Sequence, residues 1–465
     1  MRLETWDLGL ETNEIPQSLK SQVLSLKIII MAEFIIQGGY KLNGEIHPQG
    51  AKNEALQVLS AVLLTKEPVT ISNIPDILDT RRYREILKLM GVKITEVDEH
   101  TCIFQAEDVD FEQLRTDEFS RLSTKIRASI MVLGPLLGRY GKAYSGKPGG
   151  DQIGRRPLTT HFEGLEKLGA TISTSPDEKF FELEAKQLRG CYMQLNEPSV
   201  TGTANIVMAA VLAEGETTIF NAACEPYLYQ LCTMLNNMGA KISGIGSNLL
   251  KIQGVKKLHG CTHRIFPDMI EVGSFIGMAA MTQSELTIKN CACDHLGLIP
   301  YTFGKMGVQF ERKGDDLIVH GQEPYSIYSD PREASILTIA DAPWPGFTPD
   351  LISIALVTAI QAKGSVLIHQ KMFESCLFFV DKLQSMGAQI VLCDPHRAIV
   401  IGLAREKKLR ATEMSSPDIR AGIALLIAAL SAEGKSGIQN VEQIDRGYEH
   451  IVERLNALGA DIERL

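Results

Sequence analysis

Positively charged side chains stand at the start of several apolar, alanine-rich stretches of this chain. Lys52 opens KNEALQVL, Arg127 opens RASIMVL, and Arg420 opens the stretch that follows SSPDI. A helix N-terminus carries unpaired N–H groups and a partial positive charge, so it attracts phosphates and carboxylates. Cations at that end oppose the helix dipole, and an anionic ligand would account for them. If these helix starts converge on one cleft, they predict a basic site that binds phosphate.

Other polar side chains occupy the same position in these and the remaining apolar stretches. They are Asn53, Lys125, Ser199, Thr201, Thr203, Asp268, Glu271, Asp350 and Asp418. The plain alternative for the aspartates is N-capping, in which the carboxylate accepts hydrogen bonds from the first backbone N–H groups of the helix. Residue type alone leaves both interpretations open.

One loop differs from the rest of the chain in its glycine and arginine content. The segment SGKPGGDQIGRRPLTTH, from Ser145 to His161, contains Asp151, Arg155 and Arg156. A glycine-rich loop with paired arginines can fold over an anion, and a loop that closes on substrate excludes water. It is not a P-loop, because GxxxxGK[ST] is absent. A solvated turn is the alternative interpretation.

The elements that would position these residues form an internal repeat. Six times an amphipathic stretch ends in Leu or Met, a glycine and a small residue, and an extended segment follows, with a spacing of roughly 70–80 residues. A glycine just past the last apolar residue is typical of a helix C-terminus. The six glycines are Gly91, Gly169, Gly239, Gly307, Gly387 and Gly459.

Each repeat also contains a run that is apolar on nearly every side, as in the segments from Val207 to Asn221, Ile352 to His369 and Ala421 to Asn440. Such a helix is buried all round, whereas the amphipathic helix should lie outside. Each unit therefore predicts one inner helix, one outer helix and about four strands. Repeated units bury their apolar faces against their neighbours. Three units would close one α/β domain, and six predict two.

Composition is typical of an enzyme with a large core. The chain has 465 residues, of which 45% are hydrophobic and 22% charged, and its net charge of −9 argues against nucleic acid as a partner. The nine cysteines contain no CxxC pair, which favours a reducing, cytoplasmic compartment. No apolar run reaches the roughly 18 residues that a membrane span needs. Residues 1–30 match no repeat, and we expect them to be an extra, disordered segment that precedes a translation start at Met31.

Several motifs bring the chain close to a known family. They are GAKNEAL, PGGDQIGRRP, LAEGETTI.NAACEP, PD.IE.G.F, DIRAG and IDRGYEHI. From about Phe34 onward the chain resembles the UDP-N-acetylglucosamine 1-carboxyvinyltransferases, enolpyruvyl transferases of the 5-enolpyruvylshikimate-3-phosphate synthase superfamily. The resemblance implies two inside-out α/β barrels, each of three βαβαββ-type units. Residues 31–52 and 267–465 would form the first barrel, and residues 53–266 the second, which carries the mobile loop 145–161.

The resemblance also implies a reaction. The family transfers the enolpyruvyl group of phosphoenolpyruvate to the 3′-hydroxyl of UDP-N-acetylglucosamine and releases phosphate, the first committed step of peptidoglycan precursor synthesis. It needs a base, an acid and cations, but no cofactor and no metal. We expect a cytoplasmic monomer that binds these two small molecules and neither nucleic acid nor membrane.

Residue roles carry over by resemblance. Asp350 would be the base and Asp151 the proton donor. Lys52, Arg156 and Arg446 would bind the phosphate of phosphoenolpyruvate, and Arg420 its carboxylate. The other expected substrate-binding residues are Asn53, Arg127, Pro157, Ser199, Val200, Met372 and Asp418.

The chain departs from the family pattern at two positions. Most members have a cysteine where this chain has Asp151, and an aspartate donates a proton only if its pKa is raised well above about 3.9. The family segment FENR is FESC here, so Cys376 replaces an arginine expected to bind the phosphoenolpyruvate carboxylate. Loss of one charge-assisted contact costs about 1.5–3 kcal/mol. Two alternatives stay open: a shikimate-pathway transferase, which Asn53 disfavours, and a non-catalytic protein that binds a UDP-sugar.

Overall fold

The six repeat glycines end six outer helices. Their φ angles lie between +90° and +103°, in the left-handed region that a residue without Cβ adopts at little cost. The computed structural model describes residues 32–150, 156–322, 324–329, 332, 335–373 and 377–465. The outer helices are Leu78–Leu89, Thr159–Lys167, Pro226–Asn237, Ile299–Lys305, Val380–Ser385 and Ile451–Asn456.

The apolar runs form the inner helices, as predicted. Every residue of Met269–Thr282 is buried. A Cβ on Gly277 would lie 2.6 Å from the side-chain oxygen of Thr358 on a neighbouring inner helix, so the small residue permits this close approach. The inner helices are Lys52–Ala61, Leu133–Tyr140 with the preceding 3₁₀ turn Arg127–Val132, Val200–Ala210, Met269–Thr282, Ile352–Ala359 after the 3₁₀ turn Pro349–Leu351, and Ile419–Ser431. Shorter helical segments are Val62–Leu64, Gln113–Arg115, Asp117–Ser123, Cys293–His295 and Glu442–Asp445.

Six sheets cover these helices, one for each repeat. Among the described residues, five sheets have four strands and one has three, so the expected four strands are reached in every unit except the one with the glycine-rich loop. In spatial order the first barrel contains Glu413–Ser415, Lys435–Gln439, Glu33–Gln37 and Asp461–Arg464; Phe310–Lys313, Asp316–Val319, Glu285–Ile288 and Asn43–Ile46; and Leu337–Ala340, Ser365–His369, Arg397–Ile401 and Gln389–Asp394. The second contains Thr262–Arg264, Val69–Ser72, Thr101–Gln105 and Lys93–Asp98; Lys142–Gly146, Phe180–Glu184 and Thr171–Thr174; and Lys241–Ser243, Leu249–Gln253, Glu216–Phe220 and Tyr192–Gln194.

The buried apolar residues form two separate cores. One gathers the N-terminal strands with nearly the whole segment after Met269, and the other gathers residues between Ala51 and Ile265. The fold is therefore a mixed α/β architecture of two inside-out barrels. Among the described helices, none combines the length and the apolar character that crossing a bilayer requires.

The chain crosses between the two cores twice, and the two crossings lie side by side. The Ala51 N–H donates to the Phe266 carbonyl at 2.7 Å, and the Asp268 N–H donates to the Gln49 carbonyl at 2.8 Å. Gly50 and Pro267 form a β-bridge between these bonds. On this basis we propose the division 31–52 and 267–465 against 53–266. The expected disorder of residues 1–30 falls outside the described residues, as does the centre of the loop at 151–155.

Candidate active site

A cavity of about 360 Å³ opens where the starts of inner helices from both barrels meet. Twelve of the predicted site residues line it, and Asp151 lies outside the described residues. The twelve are Lys52, Asn53, Arg127, Arg156, Pro157, Ser199, Val200, Asp350, Met372, Asp418, Arg420 and Arg446. Because the helix starts converge, residues several hundred positions apart in the sequence lie together in this cavity.

A buried carboxylate joins two of the predicted phosphate-binding cations. The Lys52 ammonium lies 2.7 Å from Asp79 Oδ2, and Arg446 Nε donates to Asp79 Oδ1 at 3.0 Å. Burial alone would raise the pKa of Asp79, but Lys52 and Arg446 outweigh it and hold that pKa below its usual value. Asp79 thus holds both cations at the same part of the cavity.

Asp350 forms the second charged group of the cavity. Arg420 Nε donates to Asp350 Oδ1 at 3.1 Å, and Asn53 Nδ2 donates to Asp350 Oδ2 at 3.5 Å. Burial favours a higher pKa for Asp350, but Arg420 outweighs it and lowers the pKa. The hydroxyl of Tyr448 lies 3.4 Å from Arg420 Nη1 and supports the guanidinium from the other side. Asp350 is therefore an ionised carboxylate beside an amide and a guanidinium.

Arg127 differs from Lys52, Arg420 and Arg446 because no described carboxylate pairs with it. Its Nη2 donates to the carbonyl oxygens of Arg156 and Pro157, at 2.7 and 3.3 Å. Its Nε is buried and has no hydrogen-bond partner in the described part of the chain. Burial, together with the charge of Arg156, lowers the pKa of Arg127 to about 10. A buried cation without a counter-ion is stabilised by an anionic ligand.

N-capping explains some of the aspartates but not Asp350. Asp418 Oδ1 accepts hydrogen bonds from the N–H groups of Arg420 and Ala421, both at 2.8 Å, and Asp268 accepts one from Ile270 at 2.9 Å. Asp350 makes no side-chain cap bond. The capping interpretation therefore holds for Asp418 and Asp268, whereas Asp350 faces the cavity.

Four polar residues singled out at helix starts do not line the cavity. They are Lys125, Thr203, Asp268 and Glu271. Thr203 Oγ1 accepts a hydrogen bond from the Ala223 N–H, and Glu271 pairs with Arg454 at 2.6 Å. These contacts are structural, so a helix-start position alone did not identify a site residue.

Sequence reasoning missed three acidic residues of the cavity, Asp79, Glu197 and Glu225. Asp79 lies in the first turn of an outer helix, where an acidic residue is ordinary. Glu225 directly precedes another outer helix that begins with proline. The pairing of Asp79 with Lys52 depends on tertiary contacts, and no local signal in the sequence distinguishes it.

The sequence profile of the EPSP synthase (3-phosphoshikimate 1-carboxyvinyltransferase) family matches residues 36–455. The chain belongs to the EPSP synthase family. Within this family it is 61% identical to a protein of Bacteroides thetaiotaomicron over 94% of this chain and 100% of the relative. It is 60% identical to a Porphyromonas gingivalis protein, with the same two coverages, and 49% identical to one of Treponema denticola over 93% of this chain and 99% of the relative. All three relatives are named UDP-N-acetylglucosamine 1-carboxyvinyltransferase.

Solved structures of EPSP synthase-like folds superpose on nearly the whole chain. The enolpyruvyl transferase NikO from Streptomyces tendae gives a TM-score of 0.81 at 23% identity, over 94% of this chain and 99% of that one. An EPSP synthase from Acinetobacter baumannii gives 0.69 at 16% identity, over 94% and 100%. At these identities the likeness establishes the fold.

Proposed function

We propose that this protein transfers the enolpyruvyl group of phosphoenolpyruvate to the 3′-hydroxyl of UDP-N-acetylglucosamine and releases phosphate. The names of relatives up to 61% identical over their full length support this substrate pair. The observation that carries the proposal is the placement of Asp350 against Arg420 and Asn53 in a cavity that both barrels line. In that position one carboxylate reaches the acceptor hydroxyl while a neighbouring cation binds the donor.

The chemistry assigns a step to each charged group. Asp350 takes the proton of the 3′-hydroxyl as its oxygen bonds to C2 of phosphoenolpyruvate, and an acid adds a proton to C3. The resulting tetrahedral ketal then loses the C3 proton and breaks the bond from C2 to the phosphate oxygen. Arg420 would bind the carboxylate throughout. Because Arg420 lowers the pKa of Asp350, a substrate carboxylate that shares Arg420 would make Asp350 a stronger base.

The phosphate and the nucleotide require separate cations. Lys52 and Arg446, which Asp79 orients, would bind the phosphate of phosphoenolpyruvate together with Arg156. Arg127, which lacks a described counter-ion, would bind the diphosphate of the nucleotide sugar near Ser199 and Val200. Asp151, in the loop outside the described residues, would be the proton donor to C3.

Phosphate release tests the proposal directly. Purified protein with phosphoenolpyruvate should release phosphate when UDP-N-acetylglucosamine is added, and should not when shikimate 3-phosphate replaces it. Release with shikimate 3-phosphate alone would assign the other transferase activity. Binding of UDP-N-acetylglucosamine without any release would identify a sugar-nucleotide-binding protein.

The cellular setting follows from the proposed reaction. The product feeds peptidoglycan precursor synthesis, so we propose that the protein acts in the cytoplasm, where phosphoenolpyruvate is made. We also propose that the protein is a monomer. Sedimentation of the purified protein would test the monomer.

A further inference from the structure

Glu225 is a buried carboxyl of the cavity that the proposed mechanism does not use. It directly precedes the helix Pro226–Asn237, is 9% exposed and lines the cavity. Its Oε2 atom is buried, and no described residue donates a hydrogen bond to it. Burial raises the pKa of Glu225 to about 7, and the N–H groups of Glu225, Cys224 and Trp344 offset part of that effect.

Helix capping does not account for an acidic residue at this position. Glu225 stands at the helix N-cap but makes no side-chain cap bond, and the first helical residue is Pro226, which has no N–H to cap. Buried polar atoms in native proteins almost always have a hydrogen-bond partner. A carboxyl oxygen that lacks one and belongs to a binding cavity is available to a donor group of a ligand.

Glu225 lies on the Asp350 side of the cavity. Both Glu225 and Asp350 act on Tyr227, two residues after Glu225: burial raises the pKa of Tyr227, and the negative charges of Glu225 and Asp350 raise it further. Trp344, whose N–H lies near the Glu225 carboxyl, belongs to the segment that leads into Asp350. Cys224 Sγ donates to the Trp344 carbonyl at 3.4 Å, so the segment of Glu225 packs against the segment that leads into Asp350, the proposed base for the acceptor hydroxyl.

We propose that Glu225 is a specificity-determining residue that accepts a hydrogen bond from a hydroxyl or amide N–H of the amino-sugar ring of the acceptor. The inference rests on the proposed function, since it assumes a sugar nucleotide in this cavity. A carboxylate is a strong acceptor for such donors, and a site built to bond a hydroxyl discriminates against a ligand that lacks it. Glu225 therefore selects the sugar nucleotide over the bare nucleotide.

Direct binding measurements with three variants test this role. Titration calorimetry would measure the affinity of wild type, Glu225→Ala and Glu225→Gln for UDP-N-acetylglucosamine and for UDP, without phosphoenolpyruvate. We expect Glu225→Ala to weaken UDP-N-acetylglucosamine binding about 10- to 100-fold and Glu225→Gln less, with UDP affinity changed less than about 3-fold. Glu216→Gln, an exposed carboxyl-to-amide change in the same barrel, is the matched control and should change neither affinity.

The pH dependence adds a readout that a purely structural role would not move. Ionised Glu225 is the better acceptor, so wild-type affinity for UDP-N-acetylglucosamine should rise between pH 6 and pH 8, by up to about 10-fold, and Glu225→Gln should lose that rise. The titratable groups next to Glu225 are Cys224 and Tyr227, and the charges of Asp350, Asp268 and Arg420 act on Tyr227 in turn. Burial raises the pKa of Asp268 to about 6. Any contribution from these neighbours persists in the Gln variant.

The outcomes separate this inference from the proposed function. If wild type releases phosphate and Glu225→Ala binds UDP-N-acetylglucosamine normally, the inference is wrong and the function stands. Equal losses for UDP and UDP-N-acetylglucosamine would move the contact to the uracil N–H and overturn the sugar assignment. A wild type that binds the sugar nucleotide but releases no phosphate would overturn the proposed function alone. Should Glu225→Ala fail to fold, the isosteric Gln variant and its pH profile decide the matter.

Discussion

Replacement of Asp350 by asparagine separates two roles that the cavity assigns to one carboxylate. Asp350 is the proposed base, and it also occupies Arg420, which is the proposed anchor of the phosphoenolpyruvate carboxylate. Asparagine keeps the size of the side chain and can still contact Asn53. The substitution removes the base and, at the same time, the anion that competes with the substrate for Arg420.

The two effects have opposite signs. Loss of a general base lowers kcat by about 100-fold or more. The Arg420–Asp350 pair, at 3.1 Å, leaves the Asp350 side chain 30% exposed, so solvent screens part of its attraction. We take about 1 kcal/mol for the Arg420–Asp350 attraction that the substitution removes. Without that attraction, phosphoenolpyruvate should bind about 5-fold more tightly.

Steady-state phosphate release and equilibrium binding together measure both effects. Phosphate release gives kcat, and fluorescence or calorimetric titration gives Kd for phosphoenolpyruvate in the presence of UDP-N-acetylglucosamine. The sugar nucleotide itself should bind with nearly unchanged affinity. Glu216→Gln serves again as the control for a distant carboxyl-to-amide change.

Either half of the reasoning can fail by itself. Near-normal kcat in Asp350→Asn would remove Asp350 from the role of base. A weaker affinity for phosphoenolpyruvate would mean that Asp350 orients Arg420 for binding the substrate carboxylate. The idea that Asp350 competes with that carboxylate for Arg420 would then be wrong.

Three further predictions concern the replaced residues and one buried histidine. Cys376→Arg restores a cation for the phosphoenolpyruvate carboxylate, so KM for phosphoenolpyruvate should fall while KM for the sugar nucleotide stays constant; a higher KM would show a site rebuilt around cysteine. Because a carboxylate is a weaker nucleophile than a thiolate, the wild type should resist covalent inactivation by the epoxide fosfomycin, and Asp151→Cys should become sensitive. An adduct on the wild type, detected by intact-protein mass spectrometry, would contradict this. Burial and the charge of Arg127 lower the pKa of His161 to about 3, so folded His161 stays neutral and stability falls as pH drops below the unfolded value of about 6.5. This group contributes about 2 kcal/mol of the loss between pH 7 and pH 5, and urea unfolding of His161→Gln should show a correspondingly shallower pH dependence.

The repeat could be predicted from sequence because its signals are local. A glycine after an amphipathic stretch and a run apolar on every side are recognisable within about 15 residues, and these signals predicted the inner and outer helices. The loss of one strand in the unit that carries the glycine-rich loop has no such signal. In that unit the segment that precedes the inner helix forms the 3₁₀ turn Gln113–Arg115 and the short helix Asp117–Ser123 instead of a strand.

The candidate site could be predicted only in part, for a related reason. Asp350 and Asp418 both stand near the start of an inner helix, but Asp418 is the N-cap residue and makes cap bonds, whereas Asp350 lies within the preceding 3₁₀ turn and makes none. The difference is the position of Arg420, 70 residues from Asp350 along the chain. Asp79 and Glu225 likewise acquire their character from residues brought close by the fold, so no local signal marks them as site residues.

The central position of the first strand in its sheet has a consequence for synthesis on the ribosome. Glu33–Gln37 lies between Lys435–Gln439 and Asp461–Arg464, and Ile36 pairs with Ser436. At about 5–20 residues per second, the ribosome supplies those partners roughly 20–80 s after the first strand emerges. The second barrel has all its strands once Arg264 has emerged, and it can fold during that wait. The first strand, whose alternate residues Phe34 and Ile36 are buried in the folded protein, meanwhile lacks both of its neighbouring strands.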